Sequence, residues 1–453
     1  MTNLIFLFFF LPVVFLFYYI SNAKMKKVCL IIASIIFVFI QDLYLPVLYF
    51  VLSLLAFIIG SILIKIKNKT FGNIAFAFFS ILYASVLGFF HFGNKLNLNI
   101  IPENIIFPIG MSFFILKCIF YFNDCKNKDI VLKSNFFDFL LYVFYFPAFI
   151  LGPVLSFDYF MALLKKTDFR LCNVGKGFYM FIAGFSLKII IADNLFKMVN
   201  SVFSLNTSSI SCIMIWYTAI AFFFYIYFLF ASYSRMAEGM SLIFGIKIPK
   251  NNYPYFMCDT FSDFSKKWNV SVSRIIDKSF LKINISEVSD AFISILVWSV
   301  TGLWFGFNLR TLCFGLVLGI ILAFENILGL NKVKKENYFR RIFVFTLLFV
   351  LSVLLMPVDF DLFIQYAKAL ICRGVPLWNG ISSSIIQEYL ILFIISIISA
   401  LNISKNYAYS RKKVNAIESV IESTFFILRI AVFVLSVCIL IFNGGNSSVQ
   451  MPL

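Results

Sequence analysis

Charge is scarce in this sequence. Asp, Glu, Lys and Arg make up 13% of its 453 residues, where a soluble globular domain carries about 25%. Hydrophobic residues reach 62% and mean hydropathy is +0.96, so water is the wrong solvent for this chain. Histidine occurs once, as His91, and none of the 9 cysteines forms a CxxC pair. Neither a zinc site nor a disulfide framework is therefore expected, and most of the thiols read as small apolar packing groups. Internal repeats and low-complexity linkers are missing as well. Length alone would suggest about three soluble domains; with apolar runs recurring from end to end, residues 1–453 read instead as one integral membrane domain.

Those runs set the fold class. A bilayer core of roughly 30 Å needs about 20 apolar residues per spanning helix. Stretches near 4–21, 28–41, 43–66, 71–92, 105–122, 136–160, 176–192, 211–231, 287–305, 309–329, 341–357, 387–403 and 424–443 qualify. The expectation is an all-α polytopic membrane protein with about 11–13 transmembrane or re-entrant helices. The stretch 136–160 contains Pro147 and the Gly152-Pro153 pair. Proline breaks the helical ladder, and broken backbone at membrane depth must be satisfied by protein or a water-filled cavity. A re-entrant path is expected there. Lys247 to Ser286 is the longest polar-aromatic interruption, expected to be a cytoplasmic or half-buried helical region.

What charge there is carries a surplus of +17. Nucleic-acid binding is the reflex reading, but the cations sit in short clusters between apolar runs. These are Lys24, Lys26 and Lys27; Lys65, Lys67 and Lys69; Lys126, Lys128 and Lys133; Lys332 to Arg341; and Arg411 to Lys413. Cationic loops stay on the cytoplasmic side. The first three clusters alternate with acidic or neutral loops, which puts the N-terminus outside. The partner implied is a lipid bilayer, with no nucleic acid.

Ionisable residues inside apolar runs are costly and raise suspicion of function. Lys117, Asp138, Lys188, Asp193, Arg235, Glu238, Arg310 and Glu325 qualify. The bland alternative is that each snorkels or pairs, as Arg235 and Glu238 could at i,i+3 spacing.

The run FPIGMSFFILKCIFYFNDC followed by NFFDFLLYVFYFPAFILGP resembles the membrane-bound O-acyltransferase family, nearest its bacterial branch that acetylates alginate and other exported polysaccharides. Pro108, Gly110, Ser112, Phe113, Tyr121, Asp124, Asp138, Tyr142, Phe146, Pro147, Gly152 and Pro153 keep the family's order and spacing. The likeness continues through Lys188 with Asp193-Asn194, through FSDFSKKWNVSVSR with Trp268, Ser273 and Arg274, and through TGLWFGFNLR to Glu325. It covers a core of about residues 85–360. The resemblance implies a ring of helices around a thinned membrane centre. A thioester donor such as acetyl-CoA would approach from the cytoplasm, an acceptor hydroxyl from the far side, and a tunnel histidine would act as base. No bound cofactor and no metal is implied.

The pattern departs where that chemistry should sit. The family's Gly-Leu-Trp-His-Gly reads here Gly302, Leu303, Trp304, Phe305, Gly306, and its Trp-His reads Trp268-Asn269; a third frequent histidine is Leu318. Attack on a thioester needs the acceptor hydroxyl deprotonated by a positioned base. Phenylalanine accepts no proton. His91 and Asp263 are the substitutes on offer. The tunnel candidates are Trp268, Asn269, Ser273, Arg274, Trp304, Phe305, Lys188, Asp193, Asn194 and Asp138.

Three expectations follow. The first is a catalytically degenerate homologue acting as a non-catalytic partner or substrate passage in exported-glycan acylation, beside an extracytoplasmic or sister acyltransferase. The second is an active O-acyltransferase with a relocated base. The third, from another class, is a transporter, which broken helices and buried charges would fit.

Overall fold

The computed structural model describes residues 2–40, 45–93, 110–127, 135–167, 170–205, 209–251, 255–256, 258–268, 287–330, 337–356, 360–402 and 416–445. The order is α1 (Leu11–Ile20, preceded by a π-turn at Phe6–Phe10), α2 (Ala23–Phe39), α3 (Leu45–Lys65), α4 (Lys69–Gly93), α5 (Met111–Asn127), α6 (Phe136–Phe144) and α7 (Phe157–Lys165). Then come α8 (Leu171–Ser186), α9 (Asp193–Phe203), α10 (Cys212–Ile243) and α11 (Phe261–Trp268). The last are α12 (Glu287–Trp304), α13 (Leu309–Ile327), α14 (Tyr338–Ser352), α15 (Phe360–Leu370), α16 (Gly380–Asn402) and α17 (Ala416–Phe442). The protein is an all-α integral membrane protein. Among the described residues, 7 helices are long and apolar enough to cross a membrane, and shorter apolar helices add to them.

Helix α10, 32 residues long, is the mast of the bundle, and 25 of those residues are buried. It lies against α8 closely because both present small residues at the crossing, as helices do where lipid supplies no hydrophobic drive. A Cβ on Gly184 would fall 2.7 Å from the Ser232 carbonyl oxygen, and one on Gly239 2.5 Å from the Phe181 nitrogen. The outer helices turn Phe8, Phe9, Leu16, Ile81, Ile391 and Phe442 outward, as lipid-facing surfaces require.

The stretch 136–160 is not one helix. α6 ends before Pro147, a 3-10 turn covers Phe146–Ala148, and α7 doubles back so that Tyr142 meets Phe157 at 5.3 Å between ring centroids. Asn135 and Asp138 form a capping box at the start of α6, and Asp124 accepts the Phe157 N–H at 2.7 Å at the start of α7. Backbone groups at both helix starts are thereby satisfied by side chains. Residues 176–192, expected as one span, belong to a longer helix running from Leu171 to Phe203 with a π-turn at Leu187–Ala192. The polar-aromatic stretch contributes α11, whose Phe261, Phe264 and Trp268 are buried.

Two expectations need correction. The cysteines include a bonded pair: Cys212 and Cys372, 160 residues apart in sequence, form a disulfide with Cα atoms 5.2 Å apart. Tertiary folding brings them together, so no local spacing advertised the pair. Arg235 and Glu238 make no ion pair among the described residues. Glu238 accepts instead from the Ser234 hydroxyl at 3.3 Å and the Asn251 N–H at 3.2 Å.

Candidate functional site

α12 and α13 form a tight hairpin, and the position of interest is its tip. A Cβ on Gly302 would fall 2.3 Å from the Thr311 carbonyl oxygen, and one on Gly315 2.1 Å from that of Trp298. The two backbones therefore touch. The turn is closed by hydrogen bonds from the Phe305 N–H to Gly302 (3.0 Å) and from the Phe307 N–H to Leu303 (2.8 Å). Phe307 has φ +40°, in the left-handed region that a bulky residue seldom enters. Asn308 then caps α13 through a reciprocal box with Thr311. This shape is what Gly302, Gly306 and the polar Asn308 specify.

Phe305 points into an aromatic wall. Its ring stacks on Trp268 at 5.3 Å and 29°, with Phe230 and Phe314 edge-on at 6.2 Å each. Trp298 and Phe264 extend the stack beyond Trp268, at 5.5 and 6.1 Å. Among the described residues whose rings touch Phe305, only Trp268 carries a hydrogen-bonding group, and its indole is a donor. Trp304 turns the other way, onto Phe113 of α5 at 5.1 Å. The structure thus brings Trp268 and Phe305 together although 37 positions separate them in the chain. The surrounding Phe230, Trp298 and Phe314 were not singled out from sequence; an aromatic inside an apolar helix carries no signal that distinguishes a site wall from ordinary core.

α11 reaches the wall because its first turn is held at both ends. Glu325 of α13 accepts the N–H groups of Phe261 (3.0 Å) and Ser262 (2.7 Å), which places a carboxylate on the positive end of the helix. Just before it, Arg341 grips Asp259 with two hydrogen bonds, at 2.8 and 3.3 Å, and those bonds hold the Asp259 carboxyl below its usual range. Asp263 is ion-paired with Lys267 at 2.6 Å one turn along the same helix and is about one-third exposed. Its carboxylate is thus held by a neighbouring cation in a half-buried pair. His91 falls in the last turn of α4, and its side chain lies outside the described residues, as do Asn269, Ser273 and Arg274.

The remaining candidates form a second cluster. Lys188 and Asp193 make an ion pair whose side chains are 0% and 3% exposed. The wider π-turn puts positions i and i+5 on one face, which an α-helix would not. Asn194 donates its amide to the carbonyls of Ile189 (3.2 Å) and Ile190 (2.8 Å), taking up acceptors that the π-turn loosens. Tyr233 of α10 lies 5.9 Å from the Lys188 ammonium. Asp138 is accounted for otherwise: it caps α6 and pairs with Lys27.

Comparison with known proteins finds relatives over most of the chain. The family model described as membrane-bound O-acyltransferase matches residues 126–358. The peptidoglycan O-acetyltransferase of Helicobacter pylori is 30% identical over 371 residues, covering 70% of this chain and 69% of that protein. The probable alginate O-acetylase AlgI of Pseudomonas aeruginosa is 28% identical over 349 residues, covering 72% and 66%. The teichoic acid D-alanyltransferase of Bacillus subtilis is 23% identical over 246 residues, covering 50% and 60%. The chain spans about two thirds of the length of the first two.

Proposed function

We propose, since the chain belongs to the membrane-bound O-acyltransferase family, that it serves exported-glycan acylation as a non-catalytic partner or substrate passage in a bacterial cytoplasmic membrane. The observation that carries this reading is Phe305. A benzyl ring stacked on Trp268 occupies the position where the resemblance calls for a proton acceptor. The helix hairpin, the turn and the aromatic wall are all built. At that position no group can take the acceptor's proton, and general-base catalysis is worth about 10²–10⁴ in rate. An acetyl thioester would be the donor of the system and an extracytoplasmic or sister acyltransferase the partner.

The test is a labelled-acetyl assay on the full chain in vesicles, reading both thioester hydrolysis and transfer to glycan. Wild type and Phe305→Ala are expected to match the protein-free rate. Turnover by wild type that disappears in His91→Ala or Asp263→Ala would establish instead the active enzyme with a relocated base. A transporter is disfavoured by the collinear family match.

Orientation follows the same reading. The Cys212–Cys372 disulfide lies at the N-terminal end of α10, and disulfides persist in oxidising compartments. Lys247 and Lys250 follow the opposite end of that helix. Tyr18, late in α1, donates to the Phe244 carbonyl at 2.7 Å, so the start of α1 shares the disulfide's side, outside the cell. After reduction with a membrane-impermeant phosphine, Cys212 and Cys372 should take up a membrane-impermeant maleimide on intact cells. Labelling of the pair only after lysis would invert the assignment.

A further inference from the structure

Two cations stand side by side on the membrane-facing side of α8. α17 runs along α8 and α9 in the same direction. Arg429 lies over the Tyr179 ring at 3.9 Å, Phe433 meets Phe185 at 5.7 Å, and Lys197 donates to Asn443 at 2.8 Å. α1 flanks the other side of α8, with Phe15 against Phe178 at 5.5 Å. At one end the two flanking helices meet, the Leu4 N–H donating to the Gly445 carbonyl at 3.2 Å. At the other end they leave the first two turns of α8 open. Leu171, Cys172, Lys176 and Phe178 are exposed there, and a Cβ on Gly175 would meet no atom within 4 Å among the described residues.

The apolar runs set the depth of this opening. The apolar part of α17 is Ile427–Phe442, so Arg429 stands in its first turn. Tyrosines gather at the same level. Phe15 touches both Phe178 and Phe244, and one turn further along α1 the hydroxyls of Tyr18 and Tyr19 donate to the carbonyls of Phe244 and Ile243. Lys26 lies 5.2 Å from the Tyr18 ring. Tyrosine and lysine together at the edge of an apolar run mark the headgroup layer of a bilayer.

Lys176 and Tyr179 are three positions apart on α8, so Lys176 and Arg429 are neighbours on one seam. Like charges at that spacing repel, and a shared anion turns the repulsion into two attractions. A guanidinium over a ring still directs its N–H donors outward in its own plane, the geometry that suits phosphate. Ile427, Leu428 and Ile430 around Arg429, with Leu171 and Phe178 on α8, expose apolar surface beside the cations. A ligand that joins a negative phosphate to hydrocarbon fits both halves of the seam.

We propose that an anionic phospholipid binds in the seam between α8 and α17, its phosphate held by Lys176 and Arg429. The leaflet is the inner one under the orientation given above. Binding itself requires neither that orientation nor acyl transfer.

The experiment is native mass spectrometry of the full chain in detergent, titrated with phosphatidylglycerol and separately with phosphatidylcholine of the same acyl chains. Wild type is expected to hold phosphatidylglycerol about 10-fold more tightly or better. Lys176→Gln and Arg429→Gln should each cut that preference about 5-fold and leave phosphatidylcholine binding unchanged. Lys67→Gln, which removes an exposed cation between α3 and α4, should alter neither. Equal binding of the two lipids by wild type would overturn the proposal. A loss at Lys67→Gln as large as that at Lys176→Gln would also overturn it, leaving only a diffuse effect of positive charge. Displacement of phosphatidylglycerol by inorganic phosphate would overturn the lipid assignment and give the seam to a soluble phosphate group. Should Arg429→Gln not fold, Lys176→Glu at its exposed position carries the test, with a larger expected loss.

Discussion

Phe305→His combined with Asn269→His is expected to give the protein a thioester-hydrolysis rate about 10²–10⁴ above that of wild type. The size follows from what is already in place. The α12–α13 tip is held by backbone hydrogen bonds and by glycines whose neighbours leave no room for a Cβ, so the substituted side chain inherits a rigid position. Imidazole is smaller than the benzyl group it replaces and, like it, can lie flat on the Trp268 indole, so no overpacking penalty opposes the change. It brings a nitrogen that is neutral and proton-accepting near physiological pH. The readout is release of labelled acetate from a thioester by vesicles carrying each variant. Wild-type turnover above the protein-free rate would sink the degenerate reading. A restored variant as silent as wild type would show that the missing base is not the limiting defect and that the passage itself is closed.

Much of this architecture was legible in advance because a bilayer imposes its lengths on the chain. Apolar runs such as 211–231 and 309–329 mark α10 and α13, and Pro147 with Gly152-Pro153 marks the hairpin between α6 and α7. Three kinds of feature were hidden. The π-turn at Leu187–Ala192 leaves no compositional trace, since the same apolar residues suit an α-helix; Lys188 and Asp193 were suspected separately, but nothing in their spacing announced that they touch. α15 is short and carries Asp361 and Lys368, so it fails any test for a spanning run. The Cys212–Cys372 bond and the Lys27–Asp138 pair join positions far apart in sequence, and pairing at that range is written only in the packed bundle. At the candidate site the proximity of Trp268 to Phe305 was legible through the family resemblance alone.

The Lys188–Asp193 pair tests what its burial means. Removing one partner strands the other charge where water does not reach it, at a cost of about 3–5 kcal/mol. Lys188→Met and Asp193→Asn should therefore each lower thermal stability sharply. The double replacement Lys188→Met with Asp193→Leu leaves no ion to strand, and apolar side chains of similar volume are often neutral or better in place of a buried pair. It is expected to recover most of the loss, so that the two single effects fail to add by several kcal/mol in a double-mutant cycle. Unfolding of each variant in the same detergent supplies the four corners of that cycle. The pair could instead belong to a hydrated passage. Each charge would then keep its own solvation, the single variants would cost less than about 1 kcal/mol, and their effects would add. Independent, small effects would thus return Lys188 and Asp193 to the list of groups that meet a moving substrate. Strong coupling would make them the pin that fixes the π-turn of the α8–α9 helix against α10.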